Sequence, residues 1–273
     1  MSERRAGIGA VILTAYWLAT SLGHLAFSKL LVTTWQWPLV GAVRPADHIG
    51  WAVLLAAFFV FPQQVRRARL ASVRSPTLIG WGLWLAMFVA VDQWLIYSVA
   101  EYLHYPQYAL LAYLLAWFAD PDRSRLLLGP VLLATTLLGI ADELLQYTYV
   151  TVSYSDYVDF NDFLLNLLGA AAGVLLYYGF RPWRVNGQPP TATERVCAGT
   201  VGFAVLSLSL LAVAGLAATG ADGMSFLART PERYGHWLPG SHQGHYWAVP
   251  PWLGSLLLGA TGALFSNLPR RLR

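Results

Sequence analysis

The chain has 273 residues, of which 56% are hydrophobic and only 12% are charged, and its net charge is +4 at pH 7. Soluble domains carry about 25% charged residues, so this composition excludes an ordinary soluble domain and predicts an all-α, polytopic helical membrane protein. A single cysteine, Cys197, excludes an intrachain disulfide and any cysteine-based metal site.

Apolar stretches recur along the chain and predict about eight transmembrane helices, since each span needs roughly 20 mostly apolar residues. The first stretch follows Arg4 and Arg5 and is long for a signal sequence, so we expect an uncleaved helix. The second has a short apolar part and also fits a re-entrant segment. The predicted helices run over 8–28, 46–65, 77–98, 101–119, 126–148, 162–180, 196–219 and 250–267.

The predicted helices divide the chain into three parts. Residues 1–75 hold two N-terminal helices, and residues 76–180 hold a four-helix core. Residues 181–273 hold a linker, two C-terminal helices and a loop at 220–249. The linker 181–195 is polar and rich in proline, so it is the best candidate for a boundary within the chain.

The distribution of basic residues predicts the orientation. If both termini are cytoplasmic, 14 of the 18 Lys and Arg residues fall on the inner side, as the positive-inside rule requires. We therefore expect an N-in/C-in protein of a bacterial cytoplasmic membrane. The basic loops then meet anionic membrane lipids, and nucleic acid is not an expected partner. All six histidines and most acidic residues fall toward the outer face.

Three predicted helices carry polar side chains at helical spacing near their outer ends. They are Glu101, His104 and Tyr108 in the fourth helix, Asp142, Glu143 and Gln146 in the fifth, and Asp159, Asp162 and Asn166 at the sixth. Ionisable residues at this depth cost free energy unless they pair or line a wet cavity, so we interpret the set as a functional site. Interhelical hydrogen bonding without chemistry is the alternative. Gly169 and Gly173 form a GxxxG pattern that predicts close helix packing.

These residues resemble the VanZ-like membrane family, whose namesake is associated with teicoplanin resistance. The family's His-x-x-x-Tyr, Glu-x-x-Gln and Asp-x-x-x-Asn-x-x-Gly patterns read here as "HYPQY", "ELLQ" and "DFLLNLLG". The resemblance covers roughly residues 77–180. Two features depart from it: Glu101 stands where the family has a basic residue, and no Arg lies between Gln146 and Asp162. The carboxylates therefore lack an obvious counter-charge.

The resemblance implies a protein that binds or acts on an envelope or lipid-linked substrate. The predicted catalytic residues are His104, as a general base or acid, together with Glu143 and Asp162. The predicted substrate-binding residues are Tyr108, Gln146, Asn166, Glu101 and Asp142. Asp142 is this sequence's own addition to the pattern, and we expect it to face a different partner, such as Asp92.

A divalent cation also suits this set, because carboxylates and amides favour Mg²⁺ or Ca²⁺, and a histidine with carboxylates favours Zn²⁺ or Mn²⁺. His236, His242 and His245 make a weaker metal candidate in the loop 220–249, which is also a candidate lid over the polar cluster. Two other functions stay open. One is a non-catalytic protein that binds a lipid or drug, or a subunit of a larger membrane complex. The other is an ion- or proton-coupled transporter.

Overall fold

The computed structural model describes residues 3–37, 41–43, 45, 48, 62–63, 66, 76–123, 127–152, 156–178, 197–218 and 227–268. Within these residues the chain is mostly helical, with seven long helices. They are α1 (Glu3–Val32), α2 (Pro76–Trp94), α3 (His104–Ala119), α4 (Leu128–Leu145), α5 (Phe160–Tyr178), α6 (Gly202–Ala218) and α7 (Pro251–Asn267). Nearly all of the predicted helix at 46–65, and all of the linker 181–195, lie outside the described residues.

The other seven predicted helices are present, but irregular turns change three of their ends. A 3-10 turn, Val99–Leu103, precedes α3, so Glu101 stands before the helix and not in it. Helix α4 passes into a π-helical turn, Gln146–Val150, and a second π-helical turn, Cys197–Val201, precedes α6. Such single π turns are frequent at functional sites.

Two short antiparallel hairpins depart from the all-α prediction. Strand β1 (Trp35–Trp37) pairs with β2 (Gly41–Val43), and β3 (Trp237–Gly240) pairs with β4 (Gly244–Trp247). Gly244 has a φ of +84°, a conformation that glycine adopts without steric cost, and it lets the β3–β4 hairpin reverse within a few residues. Part of the predicted loop 220–249 is therefore a defined hairpin.

Three of the described helical segments are long and apolar enough to cross a membrane. They are Gly7–Val32, Leu128–Val150 and Phe160–Tyr178. Helix α1 leaves large apolar side chains such as Val11 and Leu22 exposed, which suits contact with lipid. The protein is thus a membrane protein with apolar, lipid-facing helices.

Helix α5 forms the centre of the bundle, with all but two of its 19 residues buried. Its small residues allow α3 to approach closely. A Cβ at Gly169 would lie 2.8 Å from the carbonyl oxygen of His104, and a Cβ at Gly173 would lie 2.1 Å from that of Ala109. The predicted GxxxG contact is confirmed, and it packs the first two turns of α3 against the middle of α5.

Side chains with N–H or O–H groups attach the outer helices to this centre. Tyr16 of α1 donates to the carbonyl oxygen of Gln107 at 2.9 Å, and Trp17 donates to that of Leu138 at 3.0 Å. On the other side, Trp84 of α2 donates to a carbonyl oxygen of α5 at 2.7 Å. Such interhelical hydrogen bonds hold helices in register where lipid supplies no hydrophobic driving force.

Candidate functional site

A cavity of about 740 Å³ opens where α1 and α4 end and α3 and α5 begin. His104, Glu143 and Asp162 meet there, and we call these three residues the cavity floor. The walls come from the end of α1, the segment 97–101, the π-helical turn after α4 and the β3–β4 hairpin. The residues that line these walls include His24, Lys29, Tyr97, Glu101, Gln146, Tyr147, Asp156, Tyr157, Asp159, Arg233, Leu238, Pro239 and Tyr246.

Asn166 fixes the tautomer of the His104 ring. The Asn166 Nδ2 atom donates to Glu143 Oε1 at 3.1 Å, and its Oδ1 atom lies 2.7 Å from His104 Nδ1. Since an amide oxygen only accepts, His104 Nδ1 carries the proton, and the Nε2 atom of the neutral ring keeps its lone pair. That Nε2 atom lies 3.6 Å from Asp162 Oδ1.

Tyr108 and Asp142 lie behind the cavity floor and are fully buried. The Tyr108 hydroxyl donates to Asp142 Oδ2 at 2.6 Å, and the Tyr108 ring runs nearly parallel to the His104 ring with centroids 6.3 Å apart. Asp142 therefore faces Tyr108 and not Asp92. The structure brings Tyr108, Asp142 and Asn166 into contact with the floor or with each other, while the other predicted residues line the cavity itself.

The cavity is lined by several closely spaced carboxyl groups. Its lining includes the carboxylates of Glu101, Glu143, Asp156, Asp159 and Asp162. Burial, together with the nearby carboxylates of Asp162 and Asp159, raises the pKa of Glu101 well above its ordinary value. Burial and Asp162 likewise raise the pKa of Asp159. A cavity of this kind favours cationic, amine-bearing or hydroxyl-bearing ligands.

Two basic side chains at the cavity wall were not predicted as part of the site. Arg233 Nη2 lies 2.8 Å from Asp156 Oδ2, and Lys29 comes from the end of α1. Because the Arg233–Asp156 pair is about half exposed, it contributes little stability, but it supplies part of the counter-charge that is missing between Gln146 and Asp162. No local spacing in the sequence links Arg233 to Asp156.

Helix α1 adds a second histidine to the site. The His24 ring centroid lies 6.2 Å from that of His104, and His24 also lines the cavity. The sequence placed His24 near the outer face with the other histidines, but α1 and α3 are far apart in the chain. The contact between His24 and His104 depends on tertiary packing, so the spacing of residues within one helix could not predict it.

The β3–β4 hairpin borders the cavity and is held at its tip. The backbone N–H groups of Ser241 and His242 donate to the carbonyl oxygen of Tyr97 at 2.8 and 3.1 Å. His242 Nε2 lies 3.1 Å from Asp92 Oδ1, and the Tyr102 hydroxyl donates to the same carboxylate. The hairpin thus borders the cavity, and its role as a lid stays a prediction.

The floor residues could share a metal ion. Among the described residues, one group of His, Asp and Glu side chains has its ligand atoms within 4.8 Å of one another, and it is His104, Glu143 and Asp162. The loop histidines do not form such a group there. His242 contacts Asp92, whereas His236 and His245 are exposed.

The VanZ/LLP1 family model matches residues 48–181. The match contains α2 to α5 and all three floor residues, while α1, the β3–β4 hairpin and α7 lie outside it. Comparison with curated proteins and with solved structures finds no match. The family match therefore covers all three residues of the cavity floor but only some of the residues that form the cavity walls.

Proposed function

Because this chain is a VanZ-like membrane protein through residues 48–181, we propose that its cavity binds the polar head of a lipid-linked cell-envelope substrate and that His104 acts on it as a general base. The proposal rests on the tautomer of the His104 ring. Its Nδ1 atom is held by Asn166, and its Nε2 atom remains a proton acceptor on the cavity floor. A positioned imidazole in a fixed tautomer is what general-base catalysis needs.

The remaining residues support this chemistry in distinct ways. Glu143 and Asp162 stabilise the positive charge that His104 gains when it takes a proton, since an opposite charge nearby favours the charged form. Gln146 Nε2 is buried and has no hydrogen-bond partner among the described residues, so it is available to donate to a substrate oxygen. Tyr108 and Asn166 act as positioning residues, because they contact the floor residues and the carboxylate behind them.

The charge of the walls indicates the kind of substrate. The carboxylates suit hydroxyl or amine groups on the head, while Lys29 and Arg233 suit an anionic linker such as a phosphate. A volume of about 740 Å³ lies within the usual range of roughly 300–1,000 Å³ for ligand pockets. A lipid-linked sugar or amino sugar has both kinds of group.

The proposal places the cavity at the outer face of a bacterial cytoplasmic membrane. About eight spans with both termini inside would put the floor residues there, and the excess of basic residues predicted for the opposite side supports this orientation. An envelope precursor displayed on the outer leaflet would then reach the cavity from the lipid or from outside the cell.

The test is a substitution that removes the base and leaves a neutral, polar side chain in its place. Cells that express the wild-type protein should resist teicoplanin better than cells without it, and His104→Gln should abolish that gain. General bases contribute typically about 10²–10⁴-fold in rate, so the loss should be complete at ordinary expression levels. His236→Gln, which changes an exposed histidine of the β3–β4 region, should keep the phenotype.

Thermal unfolding of each variant in detergent separates a lost base from a lost fold. A folded His104→Gln protein that still confers full resistance would contradict the base role, and it would favour a protein that only binds its ligand. An Asn166→Ala variant gives a second test, because it frees the His104 ring to change tautomer without removing the imidazole. It should lower resistance less than His104→Gln does.

A further inference from the structure

We infer that the cavity floor is a binding site for a divalent transition-metal ion, Mn²⁺ or Zn²⁺, with His104 Nε2, Glu143 and Asp162 as ligands. The inference deepens the proposed function and depends on it only for the ion's role. Because the ion would occupy the lone pair of His104 Nε2, it would take over from the histidine the activation of a substrate hydroxyl or a water, and the general-base role belongs to the protein without the ion. The binding site itself rests on four features of the described residues.

The first feature is the spacing of the ligand atoms. His104 Nε2 and Asp162 Oδ1 lie 3.6 Å apart. Two ligands that each lie about 2.1 Å from an ion can be at most about 4.2 Å from one another, so this separation places an ion between them at an ordinary angle. One ligand atom from each of the three floor residues lies within 4.8 Å of the others. Glu143 Oε1 lies 3.8 Å from His104 Nδ1, so Glu143 would join an ion at Nε2 by a rotation of its side chain that brings a carboxylate oxygen towards Asp162.

The second feature is the hydrogen bond behind the histidine. Histidines that bind metals almost always donate their other ring N–H to a carbonyl or carboxylate oxygen, which fixes the tautomer that presents a lone pair. The 2.7 Å contact between His104 Nδ1 and Asn166 Oδ1 is such a bond. Asn166 also donates to Glu143 at 3.1 Å, so one amide orients two of the three ligands.

The third feature is an oxygen without a partner. Asp162 Oδ1 is buried and accepts no hydrogen bond from any described residue, although it faces His104 Nε2. Two atoms with lone pairs repel one another at this distance unless a proton or a cation lies between them. A shared cation removes the repulsion and satisfies both atoms.

The fourth feature is the charge and the access of the site. Glu143 and Asp162 lie among other carboxylates, and the described ion pair of the cavity, Arg233 with Asp156, is at the half-exposed rim. A dication at the floor would neutralise much of this charge. The ligands come from one side only, and the cavity leaves the other coordination positions open to water or substrate, as in catalytic metal sites. A histidine with carboxylates favours Mn²⁺ or Zn²⁺ over Ca²⁺ or Mg²⁺.

The experiment uses the full chain in detergent after treatment with a chelator. MnCl₂ should raise the unfolding temperature, and pulsed electron paramagnetic resonance of the bound Mn²⁺ should show coupling to one imidazole nitrogen. Competition with Zn²⁺, Mg²⁺ and Ca²⁺ then ranks the ions, with Zn²⁺ expected to displace Mn²⁺. Absence of bound Mn²⁺ and Zn²⁺, or bound Mn²⁺ without nitrogen coupling, would overturn the inference, and neither result requires a variant to fold.

Variants locate the site. Asp162→Asn should weaken Mn²⁺ binding by at least about 100-fold, and Asn166→Ala should weaken it by about 10–100-fold because it removes the bond behind the histidine. Asp156→Asn is the matched control, since it removes a carboxylate of the same cavity outside the floor, and it should lower the affinity far less than Asp162→Asn does. Equal losses in Asp156→Asn and Asp162→Asn would overturn the assignment of the ligands.

The outcomes also separate the two proposals. If Mn²⁺ binds through the floor residues and folded His104→Gln still confers resistance, the metal site stands and the proposed function fails. If resistance requires His104 and neither Mn²⁺ nor Zn²⁺ binds, the metal site fails and a metal-free general base stands.

Discussion

Asp142 shows how a single carboxylate can shape the site without reaching the cavity. It is fully buried, its Oδ2 atom accepts from Tyr108, and its Oδ1 atom has no hydrogen-bond partner among the described residues. Its role is to hold Tyr108, whose ring lies beside the His104 ring. The residue that the family pattern does not explain is therefore linked to the residue on which the proposed chemistry depends.

Tyr108→Phe tests this link at the scale of one atom. Neutral hydrogen bonds between membrane helices average about 0.6 kcal/mol, but here the acceptor is a buried carboxylate with one oxygen already unpaired. We therefore expect the free energy of unfolding to fall by about 1–3 kcal/mol in detergent. Tyr149→Phe is the control, since Tyr149 is 79% exposed, and it should change little. Equal effects of the two substitutions would contradict the role of the bond.

The sequence predicted the site residues that lie one helical turn from another polar residue and missed those that do not. His104, Glu143, Asp162 and Asn166 were identified because each recurs one helical turn from another polar group, and the structure brings all four together. Arg233 reaches the site through the fold of a distant segment, as does His24. Because these segments are far from the floor residues in the chain, no regular spacing of polar residues in the sequence connects them to the site.

At the scale of elements, the contact between α3 and α5 determines where the floor residues lie. The two backbones approach so closely at Gly169 and Gly173 that carbonyl oxygens of α3 occupy the space of a Cβ. The first turn of α3 carries His104, and the first turn of α5 carries Asp162, so the helix contact sets their separation. Larger residues at the glycines would push these turns apart.

Gly173→Ala tests this contact. The new Cβ would lie 2.1 Å from a backbone oxygen of Ala109, which has no side-chain rotation to relieve the clash, so the helices must separate. Overpacking of this kind costs typically about 1–3 kcal/mol of unfolding free energy. Gly82→Ala in α2 is the matched control, because nothing lies within 4 Å of its Cβ position, and it should be neutral or stabilising by about 0.5–1 kcal/mol. Similar losses at both positions would contradict the packing argument.

The irregular turns explain why the ends of the helices were predicted less accurately than their presence in the chain. Apolar periodicity does not distinguish an α-helical turn from the 3-10 turn that holds Glu101 or from the π-helical turn that begins at Gln146. Both turns place a predicted site residue on the cavity wall. The β3–β4 hairpin escaped prediction because its strands have only four residues each.

At the scale of the whole molecule, the composition was sufficient to identify a membrane protein, and the hydrophobic pattern found the helices that the structure describes. The orientation in the membrane remains a prediction of the positive-inside rule. It matters for function because it decides whether the cavity meets the inner or the outer leaflet.

Cysteine labelling tests the orientation, because Cys197 is the single cysteine and can be replaced. In a Cys197→Ser background, Ser241→Cys at the exposed hairpin tip should react with a membrane-impermeant maleimide in intact cells. Asp122→Cys, at an exposed position between α3 and α4, should react only after the membrane is opened. The reverse pattern would place the cavity on the cytoplasmic side and would contradict an outer-leaflet substrate.

Helix α1, the turn that ends at Arg233 and the β3–β4 hairpin lie outside the region that matches the VanZ/LLP1 family, yet they supply His24, Lys29, Arg233 and Tyr246 to the cavity. Under the proposed function, reactivity and selectivity would therefore be separated along the chain. The proposed base belongs to the matched helices, and the groups that would discriminate between ligands belong largely to accessory segments. For protein engineering, exchange of the accessory segments offers a way to change which ligand enters while the reactive atoms stay in place.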